Sequence, residues 1–191
     1  MDNDLVYIDE YSLLGSNFYW YRYETYGLTK EDVLSVGLTG PRVQVSKEII
    51  ALLVEIDKVF QEKLGYRLYV KEGYRSKELY NLLYKIRCQN FGQAETDKLL
   101  NMKDMPHSLG KTVDVALWDT KTDSEVFMRD KSDGTDSFFI DFYKNRSDEK
   151  SQHYQKLQET VREIMESYGF TLGTKKEYFH FDFKKPSIDN F

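Results

Sequence analysis

The sequence lacks the features typical of disulfide scaffolds, membrane-spanning proteins and duplex-binding proteins. Cys88 is its one cysteine, which excludes an internal disulfide. No apolar run approaches the roughly 20 residues that span a bilayer. Basic residues do not predominate, since 27 Lys and Arg stand against 32 Asp and Glu, for a net charge of −5. We therefore expect no membrane insertion and no nucleic-acid partner.

The first residues also lack the apolar segment of a secretory leader. Residues 1–11 are acidic and polar, so a cytoplasmic location is the expectation. A chain from which a leader had been removed would have the same composition, and a periplasmic or secreted location therefore stays open.

The residues that are present suit one folded domain. Of the 191 residues, 40% are hydrophobic and 15% are aromatic, which is enough to build a core. We therefore predict a single domain over residues 1–191. Residues 1–45 are rich in tyrosine and glycine, and we interpret them as an irregular, aromatic-rich N-terminal layer with short strands.

Apolar periodicity predicts three amphipathic helices. The first begins after Ser46 and ends at Gly65, the second begins after Ser76 and stops near Gly92, and the third ends at Gly169. Short apolar runs predict strands over 66–70, 113–118 and 178–183. Because these elements do not alternate as βαβ units, we predict an α+β fold with a mainly antiparallel central sheet flanked by helices.

Two of the three histidines lie near carboxylates at spacings that suit a metal site. His107 precedes Asp114 across a glycine turn, and His180 follows Glu177 by three positions. Either fragment alone is more often a surface hydrogen-bonding pair, whereas both together favour a metal site. Two imidazoles and one carboxylate form a zinc site with an open position for water, whose pKa bound zinc lowers to about 7. We predict one zinc ion per chain at the sheet, held by His107, Asp114 and His180, with Glu177 at the bend before the last strand as general base.

These fragments, with Gly73-Tyr74-Arg75-Ser76 upstream, resemble the zinc D,D-peptidases related to the vancomycin-resistance D-alanyl-D-alanine dipeptidases. The motifs of that family are Ser-x-His-x-x-Gly-x-Ala-x-Asp, Glu-x-x-His, and Gly-Tyr-Arg before a helix. Their order and spacing are met here, and a looser resemblance extends over most of the chain. The resemblance implies the same three zinc ligands and the same base, and it adds Arg75 as the group that stabilises the tetrahedral oxyanion.

The resemblance also implies an activity and a substrate. The implied reaction is zinc-dependent hydrolysis of the small dipeptide D-Ala-D-Ala, and Asp141, in Ile140-Asp141-Phe142, is the candidate for holding the substrate ammonium. One open alternative is a D,D-carboxypeptidase or peptidoglycan peptidase that acts on longer stem peptides. Another is a non-catalytic zinc-binding or peptide-binding module. The sequence does not specify the oligomeric state.

Two positions depart from the family motif. Met105 stands where the family has serine, and Thr112 stands where it has alanine. Neither is a predicted metal ligand, so the prediction of the zinc site is unchanged. Met105 leaves open the contacts near the substrate carboxylate, and with them the identity of the substrate.

Overall fold

The secondary structure is that of an α+β protein, as predicted. The computed structural model describes residues 4–184, and the predicted domain of residues 1–191 extends beyond them at both ends. The strands within these residues are β1 (Leu5–Tyr7), β2 (Leu14–Gly15), β3 (Gln44–Ser46), β4 (Arg67–Glu72), β5 (Thr112–Asp119), β6 (Ser124–Val126), β7 (Phe170–Leu172) and β8 (His180–Phe183). The α-helices are α1 (Lys30–Ser35), α2 (Lys47–Leu64), α3 (Lys77–Phe91), α4 (Gln93–Leu99) and α5 (Glu149–Ser167).

The three predicted helices are α2, α3 and α5, and local capping explains where they begin and end. The Ser46 hydroxyl accepts a hydrogen bond from the first turn of α2, and the Ser76 hydroxyl does the same for α3. Helix α2 ends at Gly65, whose φ of 73° is a left-handed conformation that glycine adopts without strain. The short helices α1 and α4 were not predicted, because six or seven residues give too little apolar periodicity.

Residues 4–45 contain only short elements, including the six-residue helix α1. Three short 3₁₀ turns, at Ile8–Tyr11, Phe18–Tyr21 and Tyr23–Tyr26, alternate with the strands β1 and β2. Strand β1 pairs with β3 in a separate two-stranded sheet. Tyr19 from this layer packs with Leu79 and Leu83 of α3 in an apolar cluster apart from the main core.

The main sheet has the order β2-β4-β5-β8-β7, and β6 pairs with the far end of β5. Strands β4, β6 and β8 all pair antiparallel with β5, and β7 pairs antiparallel with β8. Strand β2, however, runs parallel to β4, so the prediction of a mainly antiparallel sheet is partly wrong. The reason is the long connection through α1, β3 and α2, which returns the chain in the same direction.

The two faces of the sheet have different roles. Val113, Val115 and Leu117 of β5 are buried in the main core, together with residues of α2 and α5. Side chains alternate along a strand, so Thr112 and Asp114 lie on the opposite face. The main core therefore occupies one face and leaves the polar residues of β5 to the other. Within residues 4–184, no helix is long and apolar enough to cross a membrane.

Candidate active site

The three predicted metal ligands meet on the polar face of the sheet. Asp114 of β5 and His180 of β8 are direct cross-strand partners. His107 comes from the 3₁₀ turn Pro106–Leu109 that leads into β5. One potential ligand atom from each residue lies within 4.8 Å of the other two. The structure thus brings together all three residues that the sequence separated by up to 73 positions.

His107 is the clearest sign that the cluster is built for a cation. Its ring is buried, and Nδ1 lies 2.7 Å from the carbonyl oxygen of Gly73, so Nδ1 carries the proton and donates it there. Its Nε2 is also buried and makes no hydrogen bond within residues 4–184. A buried nitrogen lone pair without a donor is unfavourable unless a metal ion takes it. The nearest carboxylate oxygen, Oδ1 of Asp114, is 3.5 Å away.

Asp114 lies between the two imidazoles, with Oδ1 at 3.5 Å from Nε2 of His107 and 2.8 Å from Nδ1 of His180. Burial alone would raise the pKa of Asp114, but the histidines overcome this effect and hold that pKa well below its usual range. Burial likewise opposes protonation of His180, yet its 2.8 Å hydrogen bond from Nδ1 to Asp114 raises the pKa of His180 to about 10. A divalent metal ion would replace the proton between Nδ1 of His180 and Asp114, since metal binding requires deprotonated ligands.

These residues fit zinc. Two imidazole nitrogens and one carboxylate oxygen are a donor set that zinc binds with a fourth position left open. The unpartnered Nε2 of His107 and the Nδ1 of His180 are the nitrogens that face the carboxylate of Asp114.

Glu177 lies at the bend before β8, as predicted. It forms an isolated antiparallel bridge with Phe139, and two turn residues separate it from His180. Its side chain is buried, and burial, followed by the charge of Asp114, raises the pKa of Glu177 to about 7. Such a carboxyl group exchanges protons near neutral pH, as a general base must.

Arg75 follows β4 and is held on several sides. It is buried with Glu72, whose carboxylate accepts hydrogen bonds from Nε at 2.7 Å and from one Nη atom. The guanidinium also lies over the rings of Tyr80, at 4.3 Å, and Tyr19, at 4.9 Å. The backbone N–H of Arg75 donates to the carbonyl of His107, which ties this segment to the metal ligands. A cation fixed in this way suits the predicted stabilisation of an oxyanion.

A cavity of about 670 Å³ contains the reactive groups. Its lining includes five of the six predicted site residues: Arg75, His107, Asp114, Glu177 and His180. Tyr19, Arg22 and Arg87 line it as well, so the aromatic layer and α3 contribute walls. These five predicted residues therefore border one common space.

Asp141 does not reach this cavity, and its predicted role is not supported by its position. Its side chain is 49% exposed and lies 3.9 Å from Lys144, and it does not line the cavity. Its φ of 70° is a left-handed conformation within a run of turns. An apolar-Asp-apolar segment resembles the family locally, but here the turn directs the carboxylate to Lys144 and solvent.

Two solved structures are similar to this chain. The LdcB LD-carboxypeptidase structure, described as revealing the basis of peptidoglycan recognition, has 16% sequence identity and a TM-score of 0.45, and the match covers 73% of this chain and 59% of that one. The vancomycin-resistance D,D-dipeptidase VanXYg, in complex with a D-Ala-D-Ala phosphinate analogue, has 19% identity and a TM-score of 0.46, with 75% and 52% covered. The chain thus spans less than two thirds of either neighbour. No protein-family model and no curated protein matches the sequence.

By name both neighbours are peptidases, and one is a D,D-dipeptidase, which is the class that the sequence motifs resemble. At this level of similarity, the chemistry of the site has to be argued from this chain's own residues.

Three residues that support the site were not predicted. Glu72 pairs with Arg75, the Tyr80 hydroxyl accepts a hydrogen bond from the backbone N–H of His107, and Asp182 faces His180. A signal existed for Glu72, which continues the buried alternation of Leu68 and Val70 along β4. The register shift between Val70 and Glu72 places Glu72 opposite Asp114, on the polar face of the sheet, where Arg75 is its partner. A buried carboxylate requires such a partner.

Proposed function

We propose that the chain is a zinc-dependent peptidase that hydrolyses the peptide bond of D-Ala-D-Ala. The observation that supports this most is the convergence of His107, Asp114 and His180 within 4.8 Å, in one cavity with the buried Glu177 and Arg75. A set of metal ligands alone would suit a structural site. General acid–base catalysis also needs a group such as the buried carboxyl group of Glu177, whose pKa is near neutrality.

Each residue has a distinct task in this proposal. His107, Asp114 and His180 hold the zinc ion, which when bound polarises a substrate carbonyl and lowers the pKa of a water molecule. Glu177 accepts a proton from the attacking water and passes it to the leaving amine. Arg75, fixed by Glu72 and two tyrosine rings, stabilises the negative charge on the carbonyl oxygen.

A second candidate is a D,D-carboxypeptidase that removes the last residue from a longer peptide. Two observations favour it. The position of Asp141 leaves the dipeptide ammonium without its proposed partner. The cavity is also lined by Arg22 and Arg87, which contact aromatic rings but form no ion pair within residues 4–184. Free guanidinium groups along a cavity of about 670 Å³ suit a longer substrate that carries carboxylates.

Release of D-alanine from D-Ala-D-Ala and from a pentapeptide ending in D-Ala-D-Ala tests both candidates. L-Ala-L-Ala and a pentapeptide ending in L-Ala-L-Ala are the matched controls for stereochemistry. Turnover of the dipeptide supports the first proposal, and turnover of the pentapeptide alone supports the second. Zinc bound at one equivalent without turnover of either D-substrate would support the non-catalytic module and contradict both peptidase assignments.

A further inference from the structure

Four polar residues form a block on one face of β5 and β8. Thr112 lies opposite Asp182, and Asp114 lies opposite His180, in the antiparallel register of the two strands. Within each strand the two residues are two positions apart, so all four side chains project from the same face. Two of them, Asp114 and His180, are proposed zinc ligands, and the other two, Thr112 and Asp182, lie next to these ligands.

The imidazole of His180 is enclosed by this block. Its Nδ1 lies 2.8 Å from Oδ1 of Asp114, and its Nε2 lies 3.5 Å from Oδ1 of Asp182. The Thr112 hydroxyl donates a 2.7 Å hydrogen bond to the same oxygen of Asp182. Gly173 closes another side, since a Cβ there would come within 2.2 Å of Cδ2 of His180. The ring therefore has little freedom to tilt away from the two carboxylates.

We propose that Thr112 and Asp182 are positioning residues that fix the His180 imidazole for metal binding, an inference that rests on the proposed zinc site. When Nδ1 of His180 binds the metal, Nε2 carries the proton and faces Asp182 as its acceptor. A carboxylate behind a histidine ligand fixes the tautomer and the orientation of the ring. The Thr112 hydroxyl holds Asp182 in turn.

This arrangement gives a role to one of the two departures from the family motif. Thr112 stands where the resembled motif has alanine, and an alanine could not donate to Asp182. Thr112 is 3% exposed, so water has little access to replace its hydroxyl at the buried side of the carboxylate. In this chain Asp182 therefore faces the proposed ligand His180, and Thr112 in turn holds Asp182 through a hydrogen bond.

Zinc affinity of a matched set of variants tests the proposal, with competition against a chromogenic chelator as the measurement. Thr112→Val keeps the shape and removes the hydroxyl, and we expect its zinc Kd to rise by about 10-fold. Asp182→Asn should raise the Kd by about 10- to 100-fold. Thr112→Ser, which keeps the donor, should restore most of the affinity. Thr171→Val is the control, because Thr171 also lies opposite Asp182 but its hydroxyl approaches only the backbone oxygen, at 3.5 Å.

Two further readouts separate positioning from loss of folding. The metal-free variants should show cooperative unfolding, and the visible spectrum of the Co²⁺-loaded Thr112→Val protein should differ from that of the wild type. An unchanged Kd for Thr112→Val, or equal losses in the Val and Ser variants, would overturn the proposal. If the wild type itself bound no zinc, the proposed metal site would fail instead, and the two results are distinguishable.

Discussion

Ionisation of Glu177 should make the metal-free protein less stable at the pH at which this residue acts as a base. Its side chain is 6% exposed, and burial, followed by the nearby charge of Asp114, raises its pKa from an ordinary 4.5 to about 7. The folded state therefore holds this proton more tightly than the unfolded chain does. The resulting stabilisation is complete below about pH 4.5 and is lost as the pH rises through 7. This rise in pKa corresponds to about 3 kcal/mol of unfolding free energy.

Glu177→Gln removes the titration while keeping the shape of the side chain. At pH 8, we expect the metal-free variant to be more stable than the wild type by up to about 3 kcal/mol, or roughly 6–12 °C in Tm. Near pH 4.5, the difference should be small, because the carboxyl group is then protonated in the folded wild type and about half protonated in the unfolded chain. With zinc added, the same preparation should retain the metal and lose about 100- to 10,000-fold in kcat.

Urea denaturation with a chelator, at pH 4.5 and pH 8, measures the stability difference. Glu163→Gln is the control, since Glu163 is exposed on α5. A stability difference that is the same at both pH values would refute the account of Glu177 as a buried carboxyl group with a raised pKa. A kcat close to that of the wild type, with zinc in place, would refute its role as the base.

Further substitutions test the rest of the site. His107→Ala removes the proposed ligand with the unpartnered Nε2, so metal analysis should find well under one equivalent of zinc. The Tm of the variant should lie below that of the wild type only when zinc is present, because zinc then stabilises the wild type alone. Arg75→Ala should retain zinc and lose about 100- to 1,000-fold in kcat; it also leaves Glu72 buried without its cation, so adding Glu72→Gln should recover stability in urea but not activity. Asp141→Asn should leave KM for D-Ala-D-Ala unchanged, whereas Asp136→Asn should raise it, because Asp136 lines the cavity and Asp141 does not. A higher KM for the Asp141 variant alone would reverse this assignment.

Much of the fold could be predicted because its strongest signals are local. Ser46 and Gly65 mark the ends of α2 through a hydroxyl that caps backbone N–H groups and a glycine in a left-handed conformation. These effects depend on a few neighbouring residues. The parallel pairing of β2 with β4 depends instead on residues more than 50 positions apart, and two-residue β2 has no periodicity of its own to predict it.

The proposed ligands and base could be selected from the sequence for a different reason, namely that few residue types can bind zinc or act as a general base. A chain with three histidines offers few combinations of two imidazoles and a carboxylate, so the motif spacing was enough to select His107, Asp114 and His180. Carboxylates are numerous, with 32 Asp and Glu in the chain, and sequence alone does not tell which of them reach the site. That explains why the selected Asp141 lies outside the cavity lining, whereas Asp182, which faces His180, was not selected.

The supporting residues follow from the pairing of strands and not from any motif. Asp182 faces His180 because both lie on the same face of β8, and Thr112 reaches Asp182 because β5 and β8 pair in this register. A shift of one residue would turn each of these side chains to the opposite face and leave His180 without its supports. Since Asp114 and His180 are cross-strand partners in the same ladder, the register that assembles the metal ligands also assembles the groups that hold them. Selection for one would therefore preserve the geometry of the other, whether or not the supporting residues form a recognisable motif.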